Sequence, residues 1–306
     1  MNWAGLISQT LASGTLLALA GLGLLINERV GVVNLGAEGM MLMAAVTGYI
    51  VDYHTGSTSL AFLAGAAAGA AVAACHGWLV IWLNTNQYAT GLAMWLFGSG
   101  LSAFLGIDYT SRPIRFGAAA GIPVLRDVPF FGPAFFTQHP LAYLTIALAG
   151  AMTWFLYRTR AGLVLRAIGE SPESAHALGY PVRGVRFAAV VAGGALCGVA
   201  GAFLSCVYAH LWNQGMVSGN GWIALSLTVF ATWRPARVLL GAYVFGGATV
   251  LGYQLQAEQS LHISPYFLAM LPYVSCIVVL VLISRSPVWI RLNMPASLGK
   301  PFFPAL

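Results

Sequence analysis

An all-α protein threaded through a bilayer about nine times is the fold class this sequence predicts, and three observations carry it. Only 7% of the 306 residues are charged and 59% are hydrophobic, with a mean hydropathy of +0.80; soluble domains carry about 25% charged residues. Such a chain has too little polar surface to cover itself in water. Apolar windows of roughly 20 residues, enough to span a hydrocarbon core as a helix, recur from one end to the other. Lys and Arg collect in alternate gaps between those windows, the pattern of a polytopic membrane protein. The chain, 1–306, therefore reads as a single transmembrane domain of about nine segments, bounded by eight and ten, with one or two broken or re-entrant helices.

The first window, 6–26, is uninterrupted, and no Lys or Arg precedes Arg29. Without a basic leader region, a cleavable signal peptide is not expected there. The second window, 34–52, opens inside "NERVGVVNLGAEGMM", where Gly31, Gly36 and Gly39 permit a broken or closely packed backbone. Windows 60–83 and 88–107 follow, then a loop with Asp108, Arg112, Arg115, Arg126 and Asp127. The remaining windows are 139–157, 186–209, the short 220–233, 237–256 and 266–284. With the N-terminus outside, one face receives Arg29, Arg158, Arg160, Arg166, Arg183, Arg186, Arg234, Arg237, Arg285, Arg291 and Lys300. That face is expected to be cytoplasmic, and to carry the C-terminus.

Gly65–Gly69 and Gly194–Gly198 are GxxxG pairs in apolar runs, which predicts close helix packing inside one subunit. No internal repeat is apparent. Cys75, Cys197, Cys206 and Cys276 lie in apolar runs without ligand spacing, so they read as small buried hydrophobes. The net charge of +6 comes from residues scattered among span ends rather than from a nucleic-acid patch.

One basic-face segment is long, 158–185, and its centre spells a short helix with both ends marked. Ser171 suits an N-cap, Pro172 the first helical position and Glu173 the positive end of the dipole. Gly179 stands where a left-handed residue ends a helix, and Pro181 blocks continuation. Two turns are not stable alone in water, so this helix must pack on something. The charge alone satisfies the positive-inside rule; the capped helix points to a docking element for a cytoplasmic partner.

In these residues the chain resembles the permease subunits of ATP-binding-cassette importers. "ERVGVVNLGAEGMMLMAA", "LRAIGESPESAHALGYPVRGVRF", "WRPARVLLGAYVFGG" and the late "LPY" resemble the branched-chain amino acid and simple-sugar permease family, and within it the nucleoside-uptake branch. The resemblance runs through nearly the whole chain in the same order, with "ATWRP" departing where a glycine before the tryptophan is expected. It implies that Ser171, Pro172, Glu173, Ala175, His176, Leu178 and Gly179 form a coupling helix that inserts into an ATPase subunit. It also implies a second permease subunit, taken as a paralogue in a heterodimer, an extracytoplasmic substrate-binding protein, and alternating access in a bacterial cytoplasmic (inner) membrane. No cofactor is expected on this chain: it lacks GxxxxGK[ST], so ATP is used by the partner.

Of the eight acids, Glu38 alone is expected inside a span, where a charge costs about 2.5–3.5 kcal/mol on insertion scales. Asn34 lies about a turn away on the same face. Either these two border the translocation route, or Glu38 accepts from loose backbone N–H groups of a broken helix, in which case glutamine should serve as well. Asn86, Trp95, Asn220 and Trp222 are further candidates for the route, since amides and aromatic faces suit nucleosides; Trp near a span end is more often an interfacial anchor.

Two other function classes have less support. A secondary transporter or channel for small polar solutes would rest on Glu38 alone and leave the capped loop without a role. A membrane enzyme would need HExxH, GxSxG or a His–carboxylate cluster, and the six His residues are dispersed. Catalytic and metal residues are therefore not assigned. Simple sugars or other small polar compounds remain the alternative substrate class.

Overall fold

The computed structural model describes residues 3–114, 128–257, 264, 267–268, 270–284 and 293–303. Arg115, Arg126, Asp127, Glu258, His262, Arg285 and Arg291, used above to read topology, lie outside them, as does the Cys276 side chain. Among the described residues the chain is helical, without a strand.

The nine expected segments appear as α1 (Trp3–Arg29), α2 (Ala37–Thr55), α3 (Thr58–Ile81), α4 (Gln87–Gly106), α5 (Pro140–Arg158), α8 (Val182–Phe203), α9 (Asn220–Phe230), α10 (Pro235–Ala257) and α11 (Leu271–Ser284). Between α5 and α8 lie α6 (Arg160–Glu170) and α7 (Pro172–Ala177). Among the described residues six helices are long and apolar enough to cross a membrane, and α9 is a shorter apolar helix. The chain is a polytopic helical membrane protein.

Position follows composition. α1 is apolar on all sides and runs through the centre, buried from Ser13 to Leu25, as a helix without a polar face must be. α4, α5 and α10 keep one apolar face exposed, with Phe104, Trp154 and Leu240 each more than 60% accessible. Those faces suit lipid or another membrane subunit.

Arg29, Arg158, Arg166, Arg183, Arg186 and Arg234 mark one end of the bundle, the basic pole. There Arg29 of α1 donates to the Trp233 carbonyl (2.6 and 2.9 Å), the Tyr157 hydroxyl (3.0 Å) and the Asn293 carbonyl (3.1 Å). At the far pole, His54 at the end of α2 bonds Tyr109 beyond α4 (2.8 Å), and the Ser111 amide donates to the Trp212 carbonyl (2.9 Å).

The two GxxxG pairs face each other. A Cβ on Gly69 would strike the Gly194 carbonyl and one on Gly198 the Gly65 carbonyl, so α3 and α8 touch backbone to backbone. Gly14 and Gly246 bring α1 and α10 together in the same way. This is close packing within one subunit, as expected.

Two helix–break–helix passages stand out among these pairings. α1 descends to the basic pole, breaks at residues 30–36, and returns as α2. α8 rises from that pole, breaks at residues 209–219, and returns as α9. The two units run in opposite directions and pack on each other through Gly23 and Gly193. Cys197 and Cys206 are buried, but Cys75 is exposed on α3, which corrects the expectation for that residue. An apolar span facing lipid or a neighbour can leave a cysteine accessible without cost.

Residues 293–303 lie across the basic pole as a strap. Ser297 Oγ donates to the Gly169 carbonyl (2.7 Å) and accepts from Arg186 (3.0 Å). The Gly299 amide donates to the Gly31 carbonyl (3.2 Å). Phe302 is buried, edge-on to His176 of α7.

Candidate functional site

The two helix breaks meet inside the bundle, where α2 and α9 begin. α1 ends in a left-handed glycine, Gly31 (φ +89°), with the Gly31 amide donating to the Glu28 carbonyl (2.9 Å) and the Val32 amide to the Asn27 carbonyl (3.0 Å). This paired closure satisfies the last carbonyls of the helix. Beyond it the backbone is irregular yet buried, so its polar groups need partners. The Val33 amide donates to Gln87 Oε1 (2.8 Å) and the Val33 carbonyl meets His76 Nε2 (3.2 Å). Asn34 Oδ1 accepts from the Gly36 amide (3.1 Å), turning the chain into α2.

Glu38 stands in the first turn of α2. Its carboxylate accepts from the amides of Gly219 (2.7 Å, Oε1) and Gly221 (2.8 Å, Oε2), with the Trp222 amide adding to them. These are the leading N–H groups of α9, whose own N-cap, Gly219 (φ +88°), offers no side chain. Glu38 thus caps α9 from another helix, satisfying orphan donors and opposing the positive end of the dipole. The approach needs glycine: a Cβ on Gly221 would stand 2.7 Å from the Glu38 Cα. The broken helix that Glu38 serves is α9, not its own.

Trp95 of α4 and Trp222 of α9 stand edge to face beside this junction, with centroids 5.8 Å apart. Asn220 opens α9 and donates to the Val217 carbonyl (2.7 Å). The structure therefore brings Glu38, Asn220, Trp95 and Trp222 together. Asn34 is fully buried in its turn. Asn86 caps α4, accepting from the Tyr88 (3.0 Å) and Ala89 (3.1 Å) amides, away from the junction.

Sequence reasoning missed Glu28. Its carboxylate accepts from Thr228 Oγ1 and Trp233 Nε1 (2.6 Å each), tying the end of α1 to the end of α9. The nearest signal was the "ATWRP" departure: Thr232, where the glycine was expected, has φ +48°, strained for a β-branched residue. Arg237 donates to Thr232 Oγ1 (2.6 Å) and holds it there.

α7 projects from the basic pole. Ser171 Oγ accepts from the Ser174 amide (3.3 Å). Gly179, at φ +85°, donates to the His176 carbonyl (2.8 Å), and the Tyr180 amide to the Ala175 carbonyl (3.1 Å). Both ends are closed as their residues dictate. Pro172 and Ala175 face inward, while Glu173, His176, Leu178 and Gly179 are exposed, Leu178 at 77%.

Comparison with known proteins agrees with this architecture. The family model described as "Branched-chain amino acid transport system / permease component" matches residues 6–283. The chain is 44% identical over 247 residues to a protein of Haloferax volcanii named "Putative glucose ABC transporter permease protein TsgC13", covering 79% of this chain and 75% of that one. It is 31% identical over 291 residues to the nucleoside ABC transporter permease protein NupC of Lactococcus lactis, covering 90% and 91%. It is 30% identical over 290 residues to the guanosine ABC transporter permease protein NupQ of Bacillus subtilis, covering 90% of each. The chain belongs to the family of permease components of branched-chain amino acid transport systems.

Proposed function

We propose that this chain is the membrane-spanning subunit of an ATP-driven importer of nucleosides, and that α7 is its coupling helix. The observation that carries this reading is α7 itself: a six-residue helix with both ends capped and one face open beside a basic surface. Its Pro172 and Ala175 seat it on the protein, and Glu173, His176 and Leu178 are presented to a groove in an ATPase subunit. Ser171 and Gly179 hold its ends. The basic pole then faces the cytoplasm of a bacterial inner membrane and the N-terminus lies outside. ATP binds the partner, not this chain. A paralogous permease subunit and an extracytoplasmic binding protein complete the system, the exposed face of α4 being available for the former.

Transport is by alternating access: the ATPases close, α7 moves with them, and the strap at 293–303 passes the shift to Gly31 and the first break. Glu38, Asn220, Trp95 and Trp222 border the route, while Asn34 and Asn86 fix its walls. Nucleosides are favoured by the two relatives that span nine-tenths of the chain; the Haloferax volcanii relative favours a simple sugar as the second reading.

Two measurements test the reading. Co-purification from native membranes in mild detergent should recover a P-loop ATPase and a second permease, with labelled nucleoside uptake in the parent cells lost on deletion. Recovery of the chain alone would sink the importer reading and favour a secondary transporter. In addition, Gly179→Val should uncouple ATP hydrolysis from uptake while leaving membrane insertion intact. Open space surrounds Gly179, so the cost is left-handed strain, about 1–2 kcal/mol, confined to the end of α7. Normal uptake by this variant would remove α7 as the coupling element.

A further inference from the structure

We infer that a cavity in the far-pole half of this subunit is a binding site for uncharged nucleosides, formed within one chain. The inference rests on the transport reading above and gives it a site.

The cavity has a volume of about 300 Å³, at the lower end of small-molecule sites. α1, Leu204 and Tyr208, the second break, the start of α9, α10 and the start of α11 line it. Asn220 is among these residues, next to the helix end that Glu38 caps. Tyr208, Tyr253 and Tyr273 supply three aromatic rings, and Gln256 a second amide. Ser13, Ser218 and Thr249 add hydroxyls; leucine, isoleucine, methionine and proline make up much of the rest.

Among the described residues that line the cavity there is no Asp, Glu, Lys or Arg. An amino acid zwitterion or a nucleotide would bury charge there without a counter-charge, at high cost. The N-terminus of α9, an element able to receive a carboxylate or phosphate, is already occupied by Glu38 through Gly219 and Gly221. The protein supplies its own anion at the point where a broken helix would otherwise take one from the solute. Glu38 is thus a specificity-determining residue without touching cargo: it excludes anions.

What the cavity offers suits a planar heteroaromatic ring joined to a sugar. Tyrosine faces stack bases without regard to identity, and amides pair with base edges or ribose hydroxyls. A hexose can also pack its C–H face on a tyrosine ring, but a heteroaromatic base offers a larger planar face to three such rings. Stacking therefore favours the nucleoside.

The test uses the complete permease–ATPase complex in lipid nanodiscs, without the binding protein, and tritiated adenosine as probe. Adenosine should bind, uridine should compete, and leucine and adenosine 5′-monophosphate should not. Tyr253→Leu, at a side chain 58% exposed, and Asn220→Leu should each weaken adenosine binding at least tenfold. Asn220 opens a helix, so Tyr253→Leu is the variant that keeps the fold beyond doubt. Absence of adenosine binding, unchanged affinity in Tyr253→Leu, or equal competition by leucine or the monophosphate would each overturn the site. If the intact transporter still imports nucleoside in that event, the transport reading survives. If it imports none while adenosine binds here, the transport reading fails and the site stands.

Discussion

Glu38→Gln is expected to lower the thermal stability of the purified protein and to reduce uptake steeply, although the side chain keeps its size. Before the fold is known, glutamine looks like a sufficient replacement for a carboxylate that accepts from loose backbone. The geometry says otherwise. Both carboxylate oxygens are in use, one on the Gly219 amide and one on the Gly221 amide. A carboxamide has one acceptor oxygen, so its NH2 would face an N–H donor in a buried setting. An unpaired buried donor costs about 1–3 kcal/mol, and the lost charge no longer opposes the α9 dipole. Glu38→Ala leaves both donors unpaired and should be worse by roughly the same amount again. Melting of the detergent-solubilised protein checks the first effect, and uptake of labelled nucleoside the second. Full stability with lost uptake would move the carboxylate's role from α9 to the solute; full stability with full uptake would remove it as the cap.

The second large effect is expected at the α3–α8 contact. Gly198→Val should prevent accumulation of folded protein altogether. A Cβ on Gly198 would stand 2.9 Å from the Gly65 carbonyl carbon and 3.1 Å from the Ala66 Cα. The obstacle is backbone, which cannot rotate away, so relief requires parting two helices along their length. Overpacking typically costs about 1–3 kcal/mol where side chains can yield, and here none is in the way to yield. Gly150→Val provides the contrast: nothing lies within 4 Å of its Cβ position, and it should accumulate normally. Equal levels of the two variants in membranes would show that the α3–α8 approach is not needed for folding.

The spans were legible because each is a local property. Apolar length marks a helix, and the two places where glycine and polar residues interrupt the pattern, before α2 and before α9, are where helices break. α7 was legible to its last residue, since Ser171 and Gly179 close it through their immediate neighbours. Partnerships between distant residues were not. Glu38 stands out in sequence as an acid in an apolar span, but nothing near it names Gly219 and Gly221 as its donors. Glu28 looked like a span-end charge and lies buried against Thr228 and Trp233. The packing of the two opposed helix–break–helix passages was not legible because it needs only a close approach of two distant glycines, Gly23 and Gly193. Cys75 was misjudged because an apolar neighbourhood in a membrane protein does not distinguish core from lipid-facing surface.

The strap sets an order on the birth of the molecule. Arg29 emerges from the ribosome early, yet one of its acceptors, the Asn293 carbonyl, lies 264 residues further on. At about 5–20 residues per second, roughly a quarter of a minute to nearly a minute passes before that acceptor exists. Until then the basic end of α1 and the Gly31 carbonyl lack part of their final set of partners, and the first helix break is held by its own backbone closure and by side chains such as Gln87 and His76. Throughout that interval the nascent permease carries an unfinished seam at its basic pole, which residues 293–303 draw shut.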